Sequence, residues 1–204
     1  MTHPKEQNTV LRILPLLAAA LLLWSCNAGN GVPSGPQTAT WADTSAARLL
    51  HPLAVKPQAQ ITRVTGQAYA VYLKIGDALV RDNQEAAAGA ADQLLALPAL
   101  SATDTATATQ VQLYNSYVRA IGKAAADIAK GDLKQQRIAF GALSGDMFEL
   151  VKFFGSDKPV YQVHCPMAFD DLGGSWLSDR AVIRNPYYGS DMLECGDIVA
   201  IIRP

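Results

Sequence analysis

The stretch that decides the fold is residues 111–151, VQLYNSYVRAIGKAAADIAKGDLKQQRIAFGALSGDMFELV. Its first half places apolar residues three or four positions apart, the spacing of one helix face: Val111, Tyr114, Val118, Ile121, Ala125 and Ile128. Gly131 permits a tight turn, and Asp132 can cap a second helix. That helix carries Leu133, Ile138, Leu143, Phe148, Leu150 and Val151. The stretch therefore predicts two consecutive helices joined by a short link.

Two further helices are predicted upstream. Apolar residues recur at helical spacing from Ile61 to Leu79, and an Ala-rich helix covers about residues 84 to 97, where Pro98 stops it. Ser101 to Asp104 offers several N-caps for the third helix. Four helices with short links predict an antiparallel bundle over residues 59–155. No His lies between His51 and His164, so the Glu-x-x-His pattern of metal-binding bundles is absent, and we interpret the bundle as a scaffold.

The character of the sequence changes after Gly155, where residues 156–204 form a turn-rich annex. Val160–Val163 alternates like a strand, and Asp197–Ile202 (DIVAII) is typical of a closing strand. Turn residues occupy 170–174 and 185–189 between them. The predicted fold class is mainly α, with a four-helix antiparallel bundle followed by a small α+β C-terminal annex. About 45 residues seldom hold together without a disulfide or a metal.

The N-terminus has the pattern of an export signal. Lys5 and Arg12 supply positive charge before the apolar stretch from Ile13 to Trp24, which is shorter than the roughly 20 residues of a membrane span. It ends Leu23-Trp24-Ser25-Cys26, which resembles a bacterial lipobox although Trp24 is bulkier than the usual residue. This predicts a lipoprotein signal peptide over 1–25, lipidation at Cys26 and a flexible tether over 26–58. The alternative is an ordinary signal peptide or a single apolar anchor.

Charge and motifs exclude several function classes. Seventeen Lys and Arg residues are dispersed among 18 Asp and Glu residues, which does not suit a nucleic-acid binder. The string closest to a hydrolase nucleophile elbow is 141–145 (GALSG), which has the wrong spacing and a helical setting. No P-loop or dinucleotide fingerprint is present. We therefore expect that the protein is not an enzyme.

The annex concentrates soft metal ligands. His164, Cys165 and Met167 lie in one segment, and Met192 and Cys195 lie in another. Thiolate, thioether and imidazole form the ligand set that selects Cu(I). In an extended segment Cys165 and Met167 would point to the same face, and Met192 and Cys195 would come together on one turn of helix. The pattern predicts a Cu(I) site, and Ag(I) and Zn(II) are the other ions considered.

Each of these residues also has a simpler explanation. Cys165 and Cys195 can form a structural disulfide that closes a loop of about 30 residues and contributes roughly 3 kcal/mol. Methionines at 167 and 192 can fill a core. His164 follows Val163 and precedes Cys165, so on a regular strand it would face away from the thiol. A binding or adaptor module with a Cys165–Cys195 disulfide therefore stays open as the alternative to a metal site.

The order of motifs in the annex resembles a known family. The motifs are HCPMAF (164–169), GSWLS (174–178) and IRNPYYGSDMLECG (183–196). They are similar to a bacterial family of lipoproteins and exported domains of unknown function, and to the C-terminal end of some periplasmic adaptor subunits of copper- and silver-exporting efflux pumps. The resemblance covers about 40 residues and implies a periplasmic copper-handling role by association; it does not identify the ligands.

Together these observations predict an envelope lipoprotein on the periplasmic side that binds a soft metal ion as a buffer, chaperone or efflux accessory. The expected partners are the metal ion, the membrane through the lipid anchor, and an efflux-pump or copper-transfer protein, with no nucleic acid. The candidate metal ligands are Cys165, Met167, Met192 and Cys195, with His164 as an additional or replacement ligand.

Overall fold

A computed structural model describes residues 41–53, 59–97 and 107–204. The long helices are α1 (Ala59–Val80), α2 (Gln84–Leu95), α3 (Ala108–Lys130) and α4 (Leu133–Phe154). The strands are β1 (Arg48–Leu50), β2 (Val160–Cys165), β3 (Gly174–Ser178) and β4 (Asp197–Ile202). A short turn, α5 (Ala168–Asp171), and a 3₁₀ turn (Gly189–Asp191) complete the elements. The predicted signal peptide, Cys26, Pro98 and the N-caps at 101–104 lie outside the described residues.

Side-chain caps set the starts of the helices. Asp132 accepts a hydrogen bond from the Gln135 backbone N–H at 2.8 Å, and the Gln135 side chain accepts from the Asp132 N–H at 2.9 Å. This capping box satisfies two backbone donors that a helix start leaves free, and it confirms Asp132 as the cap of α4. Thr107 and Gln110 form the equivalent box on α3. The third helix thus begins at Ala108, a few residues later than the N-caps considered from the sequence.

The four long helices pack together as predicted. Each consecutive pair is in contact, and α1 also contacts α4, which closes the bundle. Its centre is built from fully buried aromatic and aliphatic side chains, among them Tyr72, whose ring stacks on Phe140 at 4.9 Å. The predicted fold class, mainly helical with a bundle and a small sheet, is confirmed.

The four strands form one sheet in the order β1-β4-β2-β3. The predicted strands β2 and β4 are antiparallel neighbours at its centre. On one side β3 pairs antiparallel with β2, and on the other β1 pairs parallel with β4. The sequence did not indicate β3 as a strand, and β1 lies inside the segment predicted as a tether.

Buried hydrogen bonds attach the sheet to the bundle. The hydroxyl of Tyr72 in α1 accepts from the Leu177 backbone N–H at 2.9 Å and shares a 2.8 Å hydrogen bond with Ser144 of α4. The Tyr187 hydroxyl donates to the Ser175 carbonyl. Two tyrosines thus satisfy outward-facing backbone groups of the edge strand β3, which would otherwise be left unpaired.

The annex and the bundle share a single core. Val160, Val163 and Trp176 of the sheet belong to the same buried cluster as the helix residues, and the described residues from 41 onward belong to one compact unit. Burial of this apolar surface against the helices supplies the stabilisation that some 45 residues could not supply alone. The sheet is held in place by packing as well as by hydrogen bonds.

A polar contact fastens the loop before β4 to the bundle. Asp82, at the end of α1, is paired with Arg137 of α4 and accepts hydrogen bonds from the Ser190 N–H at 3.2 Å and hydroxyl at 2.7 Å. Arg137 also donates to the Pro186 carbonyl at 3.1 Å. The hydrogen bonds from Ser190 are the main cause of a lowered pKa for Asp82, with Arg137 contributing further.

None of the helices in the described ranges is both long and apolar enough to cross a membrane.

Candidate soft-metal site

The two cysteines of the annex meet at one end of the sheet. Cys165 is the last residue of β2 and is fully buried, and Cys195 is separated from the start of β4 by Gly196 and is partly buried. The antiparallel register pairs His164 with Asp197, which brings the two cysteine-bearing segments side by side. Both cysteines are free thiols, and they lie near enough for Cys165 to raise the pKa of Cys195. The structure therefore brings together two thiols that lie far apart in the sequence.

The surroundings of Cys195 favour the protonated thiol. Burial, followed by the hydrogen bond and the charge interaction with Cys165, raises the pKa of Cys195 to about 11. The nearby backbone N–H of Met167 acts in the opposite direction and lowers the pKa, because it favours the thiolate. Since thiols must lose their protons to bind a metal, an ion would compete with protons for this pair.

The methionines are arranged differently from the prediction. Because β2 ends at Cys165, Met167 lies in a turn with φ −84° and ψ −12°, and its side chain is 44% exposed while Cys165 is buried. The two side chains therefore do not share one face of an extended segment. Met192 is half-buried and lies in a turn that closes through a 3.4 Å hydrogen bond from the Cys195 N–H to the Met192 carbonyl. The predicted helical turn at 192–195 is thus replaced by a non-helical turn.

His164 occupies a separate position on β2. Its ring Nδ1 lies 3.0 Å from the hydroxyl of Ser175, its cross-strand neighbour. Gly173 leaves room for the ring, since a Cβ at that position would lie 2.8 Å from His164 Cε1. Alternation along a strand directs adjacent side chains to opposite faces, and the half-buried His164 beside the fully buried Cys165 follows this rule.

Asn185 organises the loop that carries Cys195, a role that sequence reasoning missed. This fully buried residue donates from Nδ2 to the Cys195 carbonyl at 3.0 Å, and its backbone N–H donates to the Leu193 carbonyl at 2.8 Å. Its side-chain oxygen accepts from the Tyr187 N–H at 2.8 Å. The Asn-Pro pair was interpreted only as a turn signal, although a buried amide that satisfies several backbone groups is a structural anchor.

A left-handed turn follows Met167. Phe169, Asp170 and Asp171 have φ of 57°, 56° and 66°, a conformation that costs roughly 1–2 kcal/mol per residue and that Asp tolerates better than Phe. The Phe169 ring offsets part of this cost because it packs against Tyr187 at 4.8 Å. It also lies over Gly141 of α4, where a Cβ would be 3.1 Å from Phe169 Cζ.

This turn positions the backbone of Met167 beside the thiols. The Met167 carbonyl accepts from the Tyr188 hydroxyl at 2.5 Å, and the Met167 N–H lies near enough to Cys195 to influence its pKa. The loop before β4 therefore holds the Met167 carbonyl in place. The exposed Met167 side chain extends from a fixed backbone.

The available side chains suit a soft metal ion with a low coordination number. Across residues 41–53, 59–97 and 107–204, no three His, Cys, Asp or Glu side chains converge as a metal site. A structural zinc site takes four such ligands, so the thiol pair alone does not complete one. Thiolates, with thioethers as supplements, are the ligands that Cu(I) prefers. The two thiols, with two methionines in the adjoining turns, fit that chemistry.

Comparison with known proteins gives a family match on the helices. No curated protein and no solved structure matches the chain. One family model matches the chain, and it describes a family of unknown function, which is in keeping with the resemblance seen in the sequence. The match lies mainly on the bundle, whereas the resemblance rested on the annex. The match covers less than half of the 204 residues. The chain is similar, over residues 68–159, to the family described as protein of unknown function (DUF3347).

Proposed function

We propose that the protein is an envelope lipoprotein that binds one soft metal ion, in the first place Cu(I), through Cys165 and Cys195. The observation that carries the proposal is that two free thiols, one fully buried and one partly accessible, are brought side by side by the β2–β4 register. Two neighbouring thiolates offer a soft ion a pair of strong ligands. Ag(I) has the same preference, while Zn(II) would need further ligands.

The methionines and His164 have different places in this proposal. Met167 and Met192 lie in turns that adjoin the two cysteines in the sequence, and we propose their thioethers as supplementary ligands. His164 ranks last as a ligand because its Nδ1 is engaged with Ser175 and its ring lies against Gly173. The metal would add to a framework that Asn185 and Tyr188 already hold in place.

Competition between Cu(I) and a chelator, with reduced protein under anaerobic conditions, tests the proposal. We expect one Cu(I) per chain and a loss of affinity of about 100-fold or more for Cys165→Ser and Cys195→Ser, since even indirect partners of a metal typically contribute 10- to 100-fold. Met167→Leu/Met192→Leu should weaken binding, whereas Met147→Leu, at a buried helix position, serves as a matched control. The proposal is wrong if reduced protein binds no Cu(I) while a dithiol peptide does.

The proximity of the same two thiols supports a second candidate, a binding or adaptor module with a Cys165–Cys195 disulfide. Such a bond would close the annex loop and constrain the unfolded chain. Free-thiol counting on protein exported by its natural route separates the two candidates. Two reactive thiols after denaturation favour the metal site, and none favours the disulfide.

The proposal also includes the location of the protein in the cell. We propose a periplasmic location, anchored in the membrane by lipid on Cys26, with a copper-transfer or efflux-pump protein as partner. Mass spectrometry of the full chain expressed with export should find the lipid mass on a mature protein that begins at Cys26. The Cys26→Ala variant should lack that mass, and an unmodified wild-type Cys26 would contradict the anchor.

A further inference from the structure

The part of the chain that holds both thiols is acidic on balance. Residues 161–197 contain two basic residues, Arg180 and Arg184, against six acidic ones: Asp170, Asp171, Asp179, Asp191, Glu194 and Asp197. Asp179 is paired with Arg180 at 3.1 Å, which leaves the other acids to set the local charge. The chain as a whole is nearly neutral, at −1. The acidic bias is therefore a local property of the segments around Cys165 and Cys195.

Part of this charge stands directly beside the thiols. Asp197 interacts electrostatically with Cys195. Tyr188, which bonds to Met167, interacts with both cysteines and also with Asp170 and Asp171. We call Met167, Asp170, Asp171, Leu172 and Asp197 the thiol rim.

The thiol rim also exposes apolar side chains. Leu172 is 86% exposed and Met167 is 44% exposed. Large apolar groups surrounded by charged residues are typical of a surface that contacts another protein. Leu172 also follows directly on the left-handed turn, whose backbone is held by Phe169 packing against α4.

We infer that the thiol rim docks a partner protein whose own soft-metal site is surrounded by Lys and Arg. This inference rests on the proposed function, because it names the partner for that same site. Opposite charges steer two proteins into contact and suppress partners of the wrong sign. An anionic membrane surface would be repelled by the same acids. The ion stays Cu(I) during exchange: the partner's ligands replace the two thiolates, which regain protons from water.

Two dithiol peptides serve as probes of this surface. Both carry the same Cys-x-x-Cys centre, one flanked by Lys and the other by Glu. Stopped-flow transfer from the Cu(I)-loaded protein should be faster to the Lys peptide by about tenfold or more at low ionic strength. The difference should nearly vanish at about 1 M salt, where the screening length falls to about 3 Å. Equal rates to both peptides at low salt would overturn the inference.

Charge-neutralising variants test which acidic residues cause the preference for the Lys peptide. Asp170→Asn/Asp171→Asn removes two charges and keeps a residue type that tolerates positive φ, so the preference for the Lys peptide should fall severalfold. Asp92→Asn/Asp127→Asn makes the same charge change at exposed positions of α2 and α3 and should leave the preference unchanged. If both variants lose it equally, the overall charge of the protein and not the thiol rim is responsible, and the inference fails.

Two measurements separate this inference from the proposed function. Chelator competition shows first whether the wild type and both variants hold Cu(I) equally. A metal-free titration then measures binding of the Lys and Glu peptides, with their cysteines replaced by Ser, to the reduced protein. Absent Cu(I) binding with a retained, salt-sensitive Lys preference refutes only the metal site, while normal Cu(I) binding without that preference refutes only the docking surface.

Discussion

Burial of Cys195, together with its proximity to Cys165, predicts that this thiol is unusually unreactive. At pH 8 a thiol with the ordinary pKa of 9.0 is ionised to about one part in ten, while one with a pKa of about 11 is ionised to about one part in a thousand. The thiolate with the higher pKa is the stronger nucleophile, which recovers nearly a factor of ten. Cys195 should therefore attack an aromatic disulfide roughly tenfold more slowly than an ordinary thiol.

The assay follows release of the aromatic thiol from metal-free, reduced Cys26→Ala protein between pH 7 and 10. In this protein Cys165 is fully buried, so the first phase reports Cys195. Its rate should rise about tenfold for each unit of pH and show no plateau below pH 10, because the thiolate fraction grows in that proportion.

Cys165→Ser is the decisive comparison. Two of the causes that raise the pKa of Cys195 come from Cys165, so this variant should reach its plateau at a lower pH. Burial of Cys195 remains and should keep part of the shift. A wild-type plateau near pH 9, or identical profiles for the two proteins, would mean that the thiols do not touch in solution, and the metal proposal would lose its support.

Three further predictions concern stability, measured by denaturant unfolding. Tyr72→Phe should lower the free energy of unfolding by about 1–3 kcal/mol, because the buried groups that bond to the Tyr72 hydroxyl are left unsatisfied. The matched Tyr69→Phe removes a buried hydroxyl that has no partner in the described structure, so it should be neutral or stabilising. Gly145→Ala should stabilise by about 0.5–1 kcal/mol because a Cβ there meets nothing within 4 Å; Gly141→Ala should lack this gain because Phe169 must shift. Asp82→Asn should cost about 1 kcal/mol at pH 7. Because the folded-state pKa of Asp82 is lowered, this contribution is present above the ordinary pKa of 3.8 and disappears as the pH falls towards the lowered value.

A contrary result would identify the faulty step in each case. Equal losses for the two tyrosine variants would show that the hydroxyl bonds to the edge strand are not the source of the effect. A stabilised Gly141→Ala would mean that the left-handed turn does not lie against α4. If the loss of stability caused by Asp82→Asn persists unchanged at pH 3, the charged form of Asp82 is not its cause.

The bundle could be predicted because its signals are local. Apolar residues three and four apart along 111–151, together with the Asp132 cap, specify helices wherever the chain packs. The central strands β2 and β4 were found for the same reason, since alternation and a β-rich run are visible within six residues. The thiol, thioether and imidazole candidates could also be named in advance, because ligand chemistry belongs to the residue type.

Contacts between distant segments had no such local signal. The β2–β4 register brings Cys165 to Cys195, and the ends of the strands, not the sequence spacing, place Met167 and Met192 in turns. Asn185 became an anchor because folding buried its amide among backbone groups. The sequence by itself thus determined the helices and the types of candidate ligand. The tertiary structure decided which side chains meet, because register and burial depend on residues far along the chain.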